Sequence, residues 1–286
     1  DAGGTWSSAN PSVATIDPSS GVVNAGGIGT AIITYTKSAS PCADATATII
    51  LTVSNTFVTS GANSNWSNTS AWGGGVVPHT TGDVSVSHDI NVDVITNTLG
   101  SLTIDASKTL TINAGQTLTA TNTTDINGTL LIAGTAKYDA NGTFDATGGN
   151  VTFSGSGRLE LGGTVTSLGT LNSGTGTVEY DGFTQQIPAD VYFNLEIDGA
   201  GEKTLFGNTS VNGTLTFSSD YDLVTDGHEL TITQTPSGYS DDRLIRGGSS
   251  SSVTVKYNSS STNPCFIPFG VEDSLRTIAI ELVPPL

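Results

Sequence analysis

Leu102-Thr103-Ile104-Asp105-Ala106-Ser107-Lys108-Thr109-Leu110-Thr111-Ile112-Asn113-Ala114-Gly115-Gln116-Thr117-Leu118-Thr119-Ala120 states one pattern three times. The apolar pairs Leu102/Ile104, Leu110/Ile112 and Leu118/Ala120 recur eight residues apart, with Ile126 next in phase. Alternation of this kind is strand periodicity. Eight residues accommodate a short strand and its corner, so about three such pieces would close one coil of a right-handed parallel β-helix. Inward residues would then stack on the same types one rung away, ~4.8 Å along the axis. The small Thr, Ser and Asn between them would face water.

Three further phrases share a grammar: Ile126-Asn127-Gly128-Thr129-Leu130, Ala140-Asn141-Gly142-Thr143-Phe144 and Val211-Asn212-Gly213-Thr214-Leu215. Each sets a turn dipeptide between inward apolar residues and restarts a Thr-containing strand, as a chain wound around a long axis does. Abundant Gly (35 of 286 residues), with Ser, Thr and Asn, indicates many turns, and no stretch carries a helical apolar stripe. The class is all-β.

Nine basic residues stand against 26 acidic ones, a formal net charge of −17. That field repels phosphate backbones, so nucleic acid is excluded as an expected partner. No run reaches the ~20 apolar residues of a membrane span, so this segment is not expected to insert in a membrane. Cys42 and Cys265 lie far apart, and a bridge between them and two free thiols both stay open. The chain opens on Asp1-Ala2-Gly3-Gly4 without a signal-like segment and reads as an internal or processed piece of a longer protein.

Residues 1–54 form one expected unit, with strands in Ala31-Ile32-Ile33-Thr34-Tyr35-Thr36 and Ala45 to Val53. The phrase Trp6-Ser7-Ser8-Ala9-Asn10-Pro11-Ser12-Val13-Ala14-Thr15-Ile16-Asp17, then Gly21-Val22-Val23 and Gly29-Thr30-Ala31, resembles the bacterial immunoglobulin-like group 2 domain. The resemblance implies a small β-sandwich of the kind strung in tandem in surface adhesins.

Residues 55–82 hold Trp66 and Trp72 in the polar phrase Trp66-Ser67-Asn68-Thr69-Ser70-Ala71-Trp72-Gly73-Gly74-Gly75-Val76-Val77-Pro78, ahead of Gly82-Asp83-Val84. This resembles the entry segment of secreted β-helix modules frequent in the Bacteroidetes. Two uses of the indoles stand side by side. They can cap the open first coil, hiding apolar side chains and strand edges, or offer an aromatic platform to sugar rings.

Residues 83–235 are the expected parallel β-helix. Its phrases Thr177-Val178-Glu179-Tyr180-Asp181-Gly182-Phe183 and Lys203-Thr204-Leu205 resemble the same modules. Residues 236–286 read as a C-terminal β-rich cap or the start of a further module. Ile267-Pro268-Phe269-Gly270 resembles the tail of those modules, although Ser274-Leu275-Arg276 stands where they carry an aromatic.

Chemistry is sparse. Basic residues of the coil, Lys108, Lys137, Arg158 and Lys203, look scattered, and Arg158-Leu159-Glu160 reads as a lone solvated outward pair. Asp241-Asp242-Arg243 with Arg246 reads as an ionic clasp at a module junction. Asp220-Tyr221-Asp222 with Asp226-Gly227 hints at a Ca²⁺ loop but lacks the distal Glu of an EF-hand. No catalytic residues and no organic cofactor are expected, and His79, His88 and His228 share no ligand spacing. Thr109-Leu110-Thr111 and Thr117-Leu118-Thr119 invite an ice-binding reading, which fails if the coil sends them to different faces. Asp273-Ser274-Leu275 matches a short O-glycosylation signal.

The expectation is a non-enzymatic, extracellular (secreted or cell-surface) segment of a modular adhesin or filament. It would act as a stiff spacer and display surface. Expected partners are polysaccharide, neighbouring modules, or copies of itself joined end to end. The alternative is a polysaccharide-active lyase or glycosidase, or its carbohydrate-binding module, with carboxylates, cations and aromatics gathered on one face of the coil.

Overall fold

The computed structural model describes residues 3–61, 64–79, 81–95, 98–240 and 244–247, together with the backbone of 253–257, 269–270 and 278–282. The chain divides into two units, Asp1–Thr56 and Phe57–Leu286.

In the first unit, strands Thr5–Ser8, Gly29–Lys37 and Ala45–Val53 form an antiparallel sheet, with Gly29–Lys37 in the middle. Ala14–Ile16 and Val23–Ala25 form a separate antiparallel hairpin. Val13, Ala14, Ala31 and Ile33 make a small core, with Trp6, Ile16, Leu51 and Val53 against it. The Trp6 ring meets Tyr35 at 4.7 Å. Asp17 Oδ1 accepts the N–H groups of Ser19 and Ser20 at 3.0 and 2.7 Å, closing the turn that leads into Gly21. The sheet is antiparallel throughout, as an immunoglobulin-like domain requires, but its long edge strand is exposed on both faces over residues 45–50.

The second unit is a right-handed parallel β-solenoid of about 8 turns. A complete coil contributes one strand to each of three faces, while at either end of the third face, among the described residues, only the isolated bridges Leu99–Ala120 and Thr216–Ser237 continue the stack. Strands Asp83–Val86, Leu102–Ile104, Thr124–Ile126, Phe144–Asp145 and Val165–Ser167 stack on the first face. Ile90–Val92, Thr109–Ile112, Thr129–Ile132, Asn150–Phe153 and Thr170–Asn172 stack on the second. Thr117–Ala120, Lys137–Ala140, Arg158–Leu161, Thr177–Tyr180, Asn194–Ile197 and Leu215–Phe217 stack on the third. The eight-residue phase of the sequence therefore steps from face to face. Thr109-Leu110-Thr111 and Thr117-Leu118-Thr119 fall on different faces, which removes the flat surface an ice-binding reading needs.

Register carries the core. Leu110 pairs with Leu130 and Leu130 with Val151, about twenty residues per coil. Ile112, Ile132 and Phe153 stack beside them. The strand burial pattern alternates, and its inward residues are almost wholly excluded from water. Burying a Leu, Ile or Val side chain stabilises by about 1.5–3 kcal/mol, so this continuous column is the main source of stability.

The Asn-Gly corners work by closeness. Gly142 carries no positive φ, yet a Cβ there would lie 1.4 Å from the Asn122 carbonyl oxygen one coil away. These glycines let backbone pack on backbone between rungs.

The stacking is interrupted once on two faces. Among the described residues, no pairing joins Val165–Ser167 to Gln185–Ile187, or Thr170–Asn172 to Val191–Tyr192. New sheets begin there. One runs through Gln185–Ile187, Lys203–Leu205, Leu223–Val224, Ile245–Arg246 and Phe269–Gly270. The other runs through Val191–Tyr192, Thr209–Val211, Glu229–Ile232, Val253–Tyr257 and Ile278–Leu282. The third face alone runs through unbroken. The segment 236–286, expected as a cap or the start of a new module, adds parallel strands to the later coils, because Val253-Thr254-Val255-Lys256-Tyr257 repeats the coil's alternation.

Candidate functional site

The unbroken third face carries the densest charge among the described residues. Parallel register puts Thr119, Asp139, Glu160, Glu179, Glu196 and Thr216 in one outward column. The adjoining column runs Thr117, Lys137, Arg158, Thr177 and Asn194. Four carboxylates are thus stacked in register on consecutive rungs. Like charges directly opposite one another destabilise a sheet, and two cations offset them.

Lys137 Nζ pairs with Glu160 Oε2. Arg158 Nη1 pairs with Glu179 Oε2 and reaches Glu196 Oε2 at 2.8 Å, while its Nε lies 4.0 Å from Glu160. Ser218 Oγ donates to Glu196 Oε1 at 2.6 Å, and Thr119 Oγ1 to Asp139 Oδ2 at 3.3 Å. Glu179 is 7% exposed. Burial pushes its carboxyl up to about 7 despite the opposing Arg158 charge, with Glu196 and Glu160 adding to the rise. Asp181, just beyond the same strand, is raised by burial and by Glu160, Asp139 and Asp198. Burial acts to lower Arg158 and Lys137, but their carboxylate partners outweigh it and hold both above their ordinary values.

Oxygens of Glu179, Glu196 and Asp198 lie within 4.8 Å of one another. Arg158 already engages two of these carboxylates, so a guanidinium occupies the place a cation would take, and we assign the cluster no metal.

Beside this face sits a buried ammonium. Lys203 occupies an inward position, in phase with Leu205, and is 0% exposed. Its Nζ lies within hydrogen-bond distance of four carbonyl oxygens, which share its three N–H donors: Gly182 at 3.0 Å, Phe183 at 2.8 Å, Ala200 at 3.2 Å and Gly201 at 3.1 Å. These are two successive corners, so one side chain ties two coils together. Burial pulls Lys203 down to about 8, with Asp181 and Asp198 opposing, and it stays charged at neutral pH. Gln185, in the same inward column, donates from Nε2 to the carbonyls of Leu161 (2.6 Å) and Gly163 (2.8 Å). Its Oε1 accepts the Gly182 N–H at 2.9 Å.

The residues singled out from sequence fall elsewhere. Trp66 and Trp72 are 1% and 2% exposed and join the solenoid core with Ala71, Val84, Val86, Ile90 and Val92. Their rings meet edge to face at 4.7 Å, and Trp72 Nε1 donates to the Trp66 carbonyl at 3.0 Å. Trp66 N–H bonds the Asn91 carbonyl, and Asn65 bridges to Asn91, so the segment lies over the strand Ile90–Val92. No ring face is open to a sugar at these two positions.

Asp222 is buried, accepts the Leu244 N–H at 2.7 Å and pairs with Arg246 Nε at 2.6 Å. Asp220 and Asp226 are exposed, and Asp226 has a φ of 46°. Among the described residues, these three carboxylates are not brought together as a ligand set. Cys42 is exposed. Asp241, Asp242, Arg243, Cys265 and the Asp273-Ser274-Leu275 signal lie outside the described residues.

The lone, solvated character expected of Arg158 and Glu160 is overturned. Register stacks Lys137 under Arg158 and threads both through the acidic column, so residues scattered in sequence meet on one face. No fixed period in the sequence marks them: register across coils of unequal length sets Asp139, Glu160, Glu179 and Glu196 one above another.

No family model, curated protein or solved structure matches this chain.

Proposed function

We propose that this chain is an extracellular, non-enzymatic spacer and display segment of a larger modular surface or filament protein. The supporting observation is the buried, largely apolar column of the solenoid, inward on all three faces from Trp66 to Ile245. A stack of short coils, each gripping its neighbours through backbone and core, gives length with little bending freedom. The antiparallel first unit fits the immunoglobulin-like, adhesin-type module suggested by its sequence. The net charge of −17 suits solubility and disfavours nucleic acid. Tandem modules joined this way would add avidity to weak contacts with polysaccharide, neighbouring modules or further copies.

The test is retention of the purified chain, and of a longer natural segment containing it, on a panel of immobilised polysaccharides. Assembly state is followed in parallel by light scattering. Weak retention or assembly that strengthens with added modules supports the reading. No retention and no assembly at any length contradicts it.

A polysaccharide-active reading draws on one observation, the buried Glu179 beside Glu196 with Arg158 between them. A glycosidase needs two such carboxylates, one held protonated near neutral pH. Release of reducing or unsaturated ends from acidic glycans by the pure protein would favour it. Arg158 tying up both carboxylates speaks for a structural role instead.

A further inference from the structure

The interruption of two faces and the charge column on the third coincide. On the third face, Thr177–Tyr180 is the last strand before the break and Asn194–Ile197 the first after it, and they are paired in register. Across this joint the described backbone ladder survives on one face only. Side chains that cross it include Arg158, which spans to Glu196, Gln185, which reaches back to Leu161 and Gly163, and Asn194, whose Nδ2 donates to the Thr175 carbonyl at 3.4 Å and to Thr177 Oγ1 at 3.5 Å. Inside, the Tyr180 and Tyr192 hydroxyls lie 3.1 Å apart, and Tyr192 donates to the Pro188 carbonyl at 2.9 Å.

We propose that this joint is a proton-operated clasp, loosened when Glu179 and Glu196 are both charged and tightened when Glu179 takes a proton. Glu179 faces Arg158 and Glu160 from the strand before it, and Glu196 from the strand after it. Asp198 and Asp181 flank it at the strand ends, and Lys137 and Asp139 lie two rungs back. Six carboxylates therefore surround two cations, and Lys203 holds the neighbouring corner. With Glu179 ionised, a carboxylate charge is held out of water at the joint, Glu179 repels Glu196 across it, and Arg158, divided among three carboxylates, offsets this only in part. With Glu179 neutral, that repulsion is gone and Arg158 is left to Glu196 and Glu160.

A carboxyl raised on folding from 4.5 to about 7 binds a proton in the folded state. Its contribution is full below about pH 4.5 and is lost as pH rises through about 7. The clasp is thus tighter in mildly acidic surroundings, whatever the shaft displays.

Amide hydrogen exchange read by mass spectrometry tests this, at pH 6 and pH 8 with chelator present and rates corrected for intrinsic chemistry. Protection of 177–180 and 194–197 is expected to be about tenfold higher at pH 6, one decade per pKa unit of linkage. Strands 109–112 and 129–132 serve as the unchanged reference. Glu179→Gln is expected to hold the pH 6 level at both values, and Glu196→Gln, which removes the in-register partner, to shrink the difference. Equal protection at both pH values in the native chain overturns the proposal. So does a full pH response in either variant.

Discussion

Arg158 Nη1 and Glu196 Oε2 are 2.8 Å apart although they sit on strands separated by a whole coil. The guanidinium spans past Thr177–Tyr180, pairing with Glu179 on the way. A side chain that bridges three rungs of a solenoid resists sliding of each coil on the next.

Arg158→Gln is therefore expected to destabilise the solenoid, by about 1–3 kcal/mol at pH 8. Removal of a buried partner costs more, but the Arg158 side chain is 36% exposed, so solvent screening reduces the loss. The loss should shrink at pH 5, where fewer carboxylates are charged. Urea unfolding at the two pH values measures both.

Lys203→Met keeps the volume and removes the charge. Four carbonyl oxygens at two corners then lose their donor, and each unmet buried acceptor costs about 1–3 kcal/mol before relaxation. A loss of at least about 3 kcal/mol is expected, with hydrogen exchange rising first at 182–185 and 200–203. An unchanged urea midpoint would mean that water replaces the ammonium at no cost.

Gly142→Ala places a methyl into the Asn122 carbonyl and forces two coils apart. The expected cost exceeds about 3 kcal/mol, above the ~1 kcal/mol typical of point substitutions. Gly115→Ala meets no atom within 4 Å, although its φ of 76° adds strain, and should cost less. Comparing the two by thermal unfolding separates close approach from backbone conformation.

Two uses of the entry indoles make opposite optical predictions. In a Trp6→Phe background, buried Trp66 and Trp72 should emit at short wavelength and resist acrylamide quenching, with or without added oligosaccharide. Trp72→Phe should lower stability by about 2–3 kcal/mol through lost packing and the lost Nε1–Trp66 hydrogen bond. Quenchable emission that oligosaccharide protects would restore the sugar-platform reading.

The coil was legible because its signal is local. Leu102, Leu110 and Leu118 repeat in one window, and each lands inward on a different face. The charge column was hidden because its members are a whole coil apart. Coil length also varies: Leu159 pairs with Val178, and Val178 with Leu195, at shorter spacing than Leu110 with Leu130. A fixed repeat cannot align them, and only register does. Lys203 was legible in principle, since Lys203 and Leu205 share the inward phase just as Gln185 and Ile187 do. A lysine at such a position contradicts the apolar rule, and the four carbonyls that resolve the contradiction belong to corners with no sequence signature. The indoles of the entry segment were ambiguous for another reason: a polar, Gly-rich phrase does not say whether it lies over a coil or stands away from it.

The stacking of coils is tested most directly by spin-label distances along one outward column. In a Cys42→Ser, Cys265→Ser background, one label is fixed at Asn91 and the second is placed in turn at Leu131, Thr152 and Asn172, which register stacks above it. The account predicts distances rising evenly, by roughly 5 Å per rung, from about 10 to about 19 Å. Distances that fail to climb in that order, or that cluster at one value, would contradict a rung-by-rung column.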